Sequence, residues 1–270
     1  MAEKKRLDTV VVDLGFAETR SKASAIIMAG QIYVNGQKET KAGYTVKEKD
    51  IVEFIGKKMP FVSRGGYKLE KAMKAFNITL DKCICMDIGA STGGFTDCML
   101  QCGAEKVYSI DVGYGQLAWK LRTDERVVNL ERTNFRYLTK ETVTDEIDFA
   151  SIDVSFISLK KILPVLFDFL KKDGQTVALI KPQFEAGRDK VGKKGVVRDE
   201  NTHKEVICGI VEFAYETGFS VLNLDFSPIR GPEGNIEFLA HLSLDDVEGI
   251  RPDTTMVVEQ AHNTLDKGSM

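Results

Sequence analysis

Residues 85–100 read CMDIGASTGGFTDCML. An apolar run ends in Asp87, small residues follow from Gly89 to Gly94, and a helical pattern then begins. A glycine turn between a strand and a helix lets a ligand approach the backbone closely. Three ligands compete for this one. A phosphate-binding loop for nucleoside triphosphates ends in Gly-Lys-Ser/Thr, but here Phe95 follows Gly93-Gly94. A dinucleotide site needs G-x-G-x-x-G, whereas the spacing here is G-x-x-x-G-G. S-adenosylmethionine carries a cationic ammonium and sulfonium, which suit a carboxylate such as Asp87. Its ribose hydroxyls call for an acid at the end of the second strand, where Asp111 stands in YSIDVGYG. The pattern points to S-adenosylmethionine on Asp87, Gly89, Ser91, Thr92, Gly93, Gly94, Phe95 and Asp111. A purely structural turn, with acids capping strands and helices, is the competing account.

Four further charges fall where an open α/β sheet does its chemistry, beyond the carboxyl ends of the strands. Lys68 lies on a helix before the first strand. Asp153 ends FASID, Lys181 ends the apolar strand TVALIK, and Glu237 opens the last strand, NIEFLAHL. A lysine closing an apolar strand is costly unless carboxylates accompany it. Read without other information, four unrelated edge charges compete with a single cluster.

The elements that must position these residues alternate. Strands are expected at 83–88, 106–111, 127–130, 147–153, 175–181, 219–226 and 235–244, with helices at 94–102, 116–121, 159–170 and 200–217. A helix before them carries Leu69, Ala72, Met73 and Phe76 on one face. This order predicts an α/β fold, Rossmann-like, with a mostly parallel doubly wound sheet. The last two strands are joined by SPIRGPEGN with no helix between, so they should pair antiparallel at one edge. Residues 7–17 and 20–31 read as short helices, followed by a hairpin at Asn35-Gly36. We expect a small α+β domain over 1–60, a linker at 61–66, the α/β domain over 67–245, and a tail at 246–270 with a possible helix.

Residues 1–82 hold 16 Lys and Arg against 10 Asp and Glu, a balance of +6 on a chain of net charge −3. A basic end on an acidic body points to a nucleic-acid-binding module. No apolar run approaches the roughly 20 residues of a membrane span, and the N-terminus lacks the apolar core of a signal peptide. The five cysteines are an odd count that fits reduced thiols in the cytoplasm. Cys83, Cys85, Cys98 and Cys102 could be read as a zinc site, but strand and helix packing explains both pairs, and no metal is expected.

The sequence resembles the TlyA family, historically labelled haemolysins, over nearly its whole length. ETRSKASAIIMAGQIYVNG resembles the S4 signature. FVSRGGYKL, DIGASTGGFTD, SIDVSFISL, LIKPQFE and GNIEFLAHL resemble the family's methyltransferase motifs in order. The resemblance implies an S4 RNA-binding domain joined to an FtsJ-like rRNA 2′-O-ribose methyltransferase. It also implies a Lys-Asp-Lys-Glu catalytic tetrad, matched at Lys68, Asp153, Lys181 and Glu237. Phe61 departs from the family, whose members can carry Trp there. Lys181 is the candidate base, Lys68 the second cation, and the carboxylates orient both. Ribosomal RNA or ribosomal subunits are the implied partners. Phosphate contacts are expected from Arg6, Arg20, Lys22 and Lys38, from Arg64 at the joint, and from Arg188, Lys193 and Lys194 in the glycine-rich segment after Lys181. Phe184 is assigned to packing and His203 to a helix surface. Two rival functions remain: a non-catalytic RNA-binding or ribosome-assembly factor, and a pore-forming haemolysin.

Overall fold

The computed structural model describes residues 4–17, 19–56, 59–245 and 252–265. The chain divides into two compact units, Met1–Pro60 and Phe61–Met270.

The first unit contains β1 (Lys5–Arg6), α1 (Leu7–Asp13), α2 (Arg20–Met28), β2 (Ile32–Val34), β3 (Gln37–Glu39), β4 (Thr45–Val46) and β5 (Val52–Phe54). Thr19 caps α2 by accepting from the Lys22 amide. Asn35 and Gly36 both take positive φ, as a two-residue hairpin turn requires, and β2 pairs with β3 and β5. Leu7, Val11, Ala23, Ile27 and Ile32 close a small core. Its wall includes the buried carboxylate Asp8, which accepts from Arg6 and Arg20 at 2.9 Å each.

The second unit opens on α3 (Gly66–Ala75), β6 (Ile84–Ile88), α4 (Gly94–Gln101), β7 (Lys106–Ile110), α5 (Trp119–Arg122), β8 (Val127–Leu130) and β9 (Ile147–Ile152). It continues with α6 (Leu163–Phe167), β10 (Leu170–Ile180), α7 (Pro182–Glu185), α8 (Glu200–Glu216), β11 (Ser220–Phe226), β12 (Phe238–Ser243) and α9 (Thr254–Leu265). Seven strands form one sheet in the order β11-β12-β10-β9-β6-β7-β8. β10, β9, β6, β7 and β8 run parallel, whereas β12 is antiparallel to both β10 and β11. The chain enters at β6, builds outward to β8 and returns to β9 on the other side. The reversal between β6 and β9 opens a crevice at their carboxyl ends.

Apolar layers cover both faces of the sheet, one centred on Met86, Ile110 and Ile152, the other on Cys85, Met99 and Val107. The segment expected to be a linker begins inside this unit's core. Phe61 and Val62 are buried, and the Val62 amide donates to Asp97 at 2.8 Å. The helix expected over 159–170 is instead a 3₁₀ turn at Leu159–Lys161 and the short α6. Pro164 has no amide hydrogen to donate, so a helix begins there rather than running through. Leu170 already pairs with Ile147 in the sheet. Cys85 and Cys98 are buried, but Cys102 is exposed and Cys83 half-buried, so packing accounts for only one thiol of each pair.

Asp8 is held below the usual carboxylate range, first by its hydrogen bonds to Arg6, against the cost of burial, and then by Arg20. A lowered carboxyl contributes stability above its unfolded pKa, near 4, and that contribution is lost as pH falls below it. Amide exchange of α1 should therefore accelerate from pH 5 to pH 3 beyond the intrinsic change. Asp8→Asn should raise exchange at pH 6 and flatten that dependence.

Candidate active site

The glycine loop is built by sterics. Gly89 has φ +88°, and a Cβ there would stand 2.5 Å from the Asp153 carbonyl oxygen. Gly93, at φ +91°, precedes α4, and a Cβ on it would strike Leu121 at 2.3 Å. A Cβ on Gly94 would meet the Ser63 hydroxyl at 2.3 Å. At these three positions the loop packs against the residue after β9, α5 and the 63–66 segment with no room for a side chain.

Asp87 is placed otherwise than expected. It is fully buried, and its carboxylate accepts from the Thr96 amide at 2.8 Å, the Thr96 hydroxyl at 2.7 Å and the Ser151 hydroxyl at 3.1 Å. Sheet register sets Ser151 and Ser109 beside it on the two neighbouring strands. It lines neither of the cavities described next, so its work is to tie α4 to β6 and β9. Direct pairing with a ligand's ammonium is not what this geometry provides. Gly93 is also buried and lines neither cavity; it shapes the turn.

Two cavities open at the crevice. One, of about 580 Å³, has Gly89, Ser91, Asp111, Asn134 and Phe156 in its wall. Asp111 accepts from the amides of Ser91 and Gly113 at 2.7 Å each, which fixes its carboxylate at the rim and leaves lone pairs for a ligand diol. The other, of about 310 Å³, is lined by Lys68, Thr92, Gly94, Phe95, Lys181 and Glu237, among others. Gly89, Ser91, Asp153 and Ser155 line both. The cavities thus meet at Asp153.

The four charges expected as a tetrad assemble there. Lys181 Nζ stands 2.5 Å from Asp153 Oδ1. Lys68 Nζ stands 3.4 Å from Asp153 Oδ2 and 2.7 Å from Glu237 Oε2. Lys181 also donates to the Ser155 hydroxyl at 3.1 Å. Glu237 arrives because β12 is antiparallel: Phe238 pairs with Ile180, so the residues just beyond that pair, Glu237 and Lys181, come to one end. Burial lowers the Lys68 ammonium, but Asp153 and Glu237 outweigh it, and the group stands above the ordinary lysine value. Lys68 is thus a fixed cation between two carboxylates, while Lys181 faces one carboxylate and a hydroxyl.

The expected RNA contacts fare unevenly. Arg6 and Arg20 share Asp8, yet their side chains are 56% and 60% exposed. Lys22, Lys38, Arg64, Arg188, Lys193 and Lys194 are exposed, and Arg64 alone of these lines the tetrad cavity. The basic segment after Lys181 is anchored at its far end, where Asn235 accepts from the Val197 amide and donates to the Gly195 carbonyl, both at 2.9 Å. His203 is buried rather than on a surface. Its Nε2 lies 3.2 Å from the Val197 carbonyl and its Nδ1 2.9 Å from His262 Nε2. Sequence reasoning missed Phe156. It is 90% exposed at φ +63°, with its ring 5.0 Å from that of Phe184. An exposed phenylalanine with left-handed backbone is a strained arrangement, and only its place in SIDVSFISL after Asp153 could have drawn attention to it.

The family model of FtsJ-like methyltransferases matches residues 61–244, and that of the S4 domain matches residues 5–52. A Mycobacterium tuberculosis protein named 16S/23S rRNA (cytidine-2'-O)-methyltransferase TlyA is 41% identical over 243 residues, spanning 90% of this chain and 91% of that one. The chain belongs to the TlyA family of FtsJ-like methyltransferases. A further TlyA-like relative, YqxC of Bacillus subtilis, carries a provisional name as an rRNA methyltransferase. It is 50% identical over 270 residues, or 98% of this chain and 96% of its own. A solved structure from Streptococcus thermophilus, labelled a hemolysin, superposes with a TM-score of 0.77 at 47% identity, covering 98% of each chain. Among the described residues, no helix is long and apolar enough to cross a membrane, and no group of three or more His, Cys, Asp or Glu could hold a metal.

Burial pushes the Asp87 carboxyl up to about 6, against the hydrogen bonds from Thr96 and Ser151. A raised carboxyl contributes stability below its unfolded pKa, near 4, and loses it as pH rises through the folded value. Between pH 4.5 and pH 7 the ligand-free protein should lose about 2 kcal/mol relative to Asp87→Asn. Urea unfolding of both at pH 4.5 and pH 7 measures the difference. An equal change in both proteins would contradict the buried, ionisable reading of Asp87.

Proposed function

We propose that this chain transfers a methyl group from S-adenosylmethionine to the 2′-hydroxyl of a ribose in ribosomal RNA, a reaction of the cytoplasm, where ribosomes are. One observation carries the reading: four charged side chains from separate elements meet where two cavities join, with Asp153 in the wall of both. The larger cavity suits the cofactor. Gly89 and Ser91 of the glycine loop lie in its wall, and Asp111 stands at the rim with oxygens for a ribose diol. When bound, S-adenosylmethionine supplies a methyl group already activated by its sulfonium, so positioning does much of the work. The smaller cavity, with the tetrad, then takes the target ribose.

A ribose hydroxyl is a poor nucleophile until its proton leaves. Lys181 Nζ is the group placed to receive that proton. The ammonium it becomes is stabilised by Asp153 Oδ1 at 2.5 Å. Lys68 cannot share this role, because two carboxylates hold it as a cation. It orients Asp153 and Glu237 and offsets their charge. Phe156, exposed in the wall of the larger cavity, offers a face on which a base can stack. The S4-like unit supplies affinity through phosphate contacts from Arg20, Lys22 and Lys38.

Transfer of labelled methyl from S-adenosylmethionine to ribosomal subunits in a single turnover tests the reading. Lys181→Ala should slow transfer by roughly 10²–10⁴-fold while retaining cofactor affinity; a near-normal rate would remove Lys181 from the mechanism. Asp111→Ala should weaken cofactor binding by roughly 1.5–3 kcal/mol for each charge-assisted hydrogen bond lost. Calorimetry with unchanged affinity would sink the assignment of Asp111.

A further inference from the structure

The tetrad leaves one requirement of its substrate unmet. Two lysines face two carboxylates, so even with both lysines charged the cluster offers no excess of positive charge to the phosphate that lies next to a ribose 2′-hydroxyl in RNA. The smaller cavity nevertheless has two arginines in its wall, Arg64 and Arg230, on segments far apart in sequence. Arg64 Nη2 donates to the Arg230 carbonyl at 3.3 Å, joining the two segments at the cavity. Arg230 Nη1 donates to the Gly234 carbonyl at 2.9 Å, which aligns the guanidinium along its own turn. Further bonds stiffen that turn, from the Gly231 amide to Asn235 and from the Gly234 amide to Gly231. Packing does the same close by, since a Cβ on Gly231 would lie 2.6 Å from Glu237 Oε1. Glu233, on the same turn, is not in the cavity wall.

We propose that Arg64 and Arg230 form a phosphate clamp at the tetrad cavity, which holds the backbone phosphate next to the target ribose and so places the 2′-oxygen against Lys181. The proposal rests on the methyltransferase reading above. Both residues are positioning residues: they touch the substrate's backbone and no reacting atom. Arginine suits the task because its planar fork engages two phosphate oxygens at once, which a lysine cannot do. Arg230 belongs to the turn that leads into Glu237, so the clamp and the tetrad share one rigid support.

The test uses the full chain with ribosomal RNA, comparing Arg64→Ala, Arg230→Ala, Arg230→Lys and the double alanine variant. Each alanine variant should raise KM for RNA about tenfold, with a smaller effect on kcat and unchanged calorimetric affinity for S-adenosylmethionine. Each should also lower the slope of log binding constant against log salt by about 0.7, the single-strand value. Arg230→Lys should keep the salt slope but recover only part of the KM, since it restores the charge without the fork. A purely structural role for the turn would lower kcat, leave the salt slope unmoved and let lysine restore everything; that pattern would overturn the clamp. So would an active wild type beside a double variant with unaltered KM and slope. A wild-type chain that binds S-adenosylmethionine yet methylates no ribosomal RNA overturns the parent reading, and the clamp with it.

Discussion

The second unit is organised around one shared carboxylate. Asp153 sits between Lys181 and Lys68, with one oxygen toward each, and Glu237 closes the arrangement from the far side of Lys68. Ammoniums this buried are tolerable only when paired, so the surrounding geometry has little freedom. β9 must end beside β6, at the strand reversal. Gly89 must lack a side chain, because its Cβ would press on the Asp153 carbonyl. β12 must run antiparallel, because only then does Glu237 emerge at the end of the sheet where Lys181 emerges. α3 must begin at Gly66, so that Lys68 falls in its first turn.

The same constraint separates the roles of two chemically identical groups. Lys68, between two carboxylates, is held protonated, whereas Lys181 meets one carboxylate and a hydroxyl. The distinction comes from partners and not from residue type. It also leaves the tetrad with no excess of positive charge. Around it, buried polar contacts hold the supports still. Asn235 bridges to Gly195 and Val197. His203, whose Nε2 must carry the hydrogen that meets the Val197 carbonyl, reaches His262 on α9 through its other nitrogen. The terminal helix is thereby linked to the segment that follows Lys181.

Much of this was legible in the sequence, for identifiable reasons. Alternating apolar strands and helical patterns specify a doubly wound sheet, and the helix-free connection SPIRGPEGN specifies the antiparallel end. The glycine loop and Asp111 at the end of the second strand could be singled out by position, and Gly89, Ser91 and Asp111 do line one cavity. The tetrad could not be assembled from spacing alone, since Lys68 and Glu237 are separated by most of the chain; the family resemblance brought them together. Other features depend on three-dimensional context. Asp87 has the residue type and place of a ligand contact, yet Ser151 and Thr96 enclose it. His203 lies on a helix whose outer face α9 covers, and nothing local in the sequence signals that cover. Phe156 reads as an ordinary apolar residue until its backbone turns left-handed and exposes it. Pro164 was visible as a helix breaker, and its effect on the 159–170 segment follows from its missing donor.

The account's central claim is a division of labour between two cavities joined at Asp153. A crystal structure of the full chain with S-adenosylhomocysteine tests it most directly. The account predicts the ribose hydroxyls on Asp111 and the sulfur directed to the Asp153 end of the larger cavity, with the tetrad cavity left open and the Lys68–Asp153–Lys181 contacts intact. A ligand lodged among Lys68, Lys181 and Glu237, or one that leaves Asp111 untouched, would contradict it.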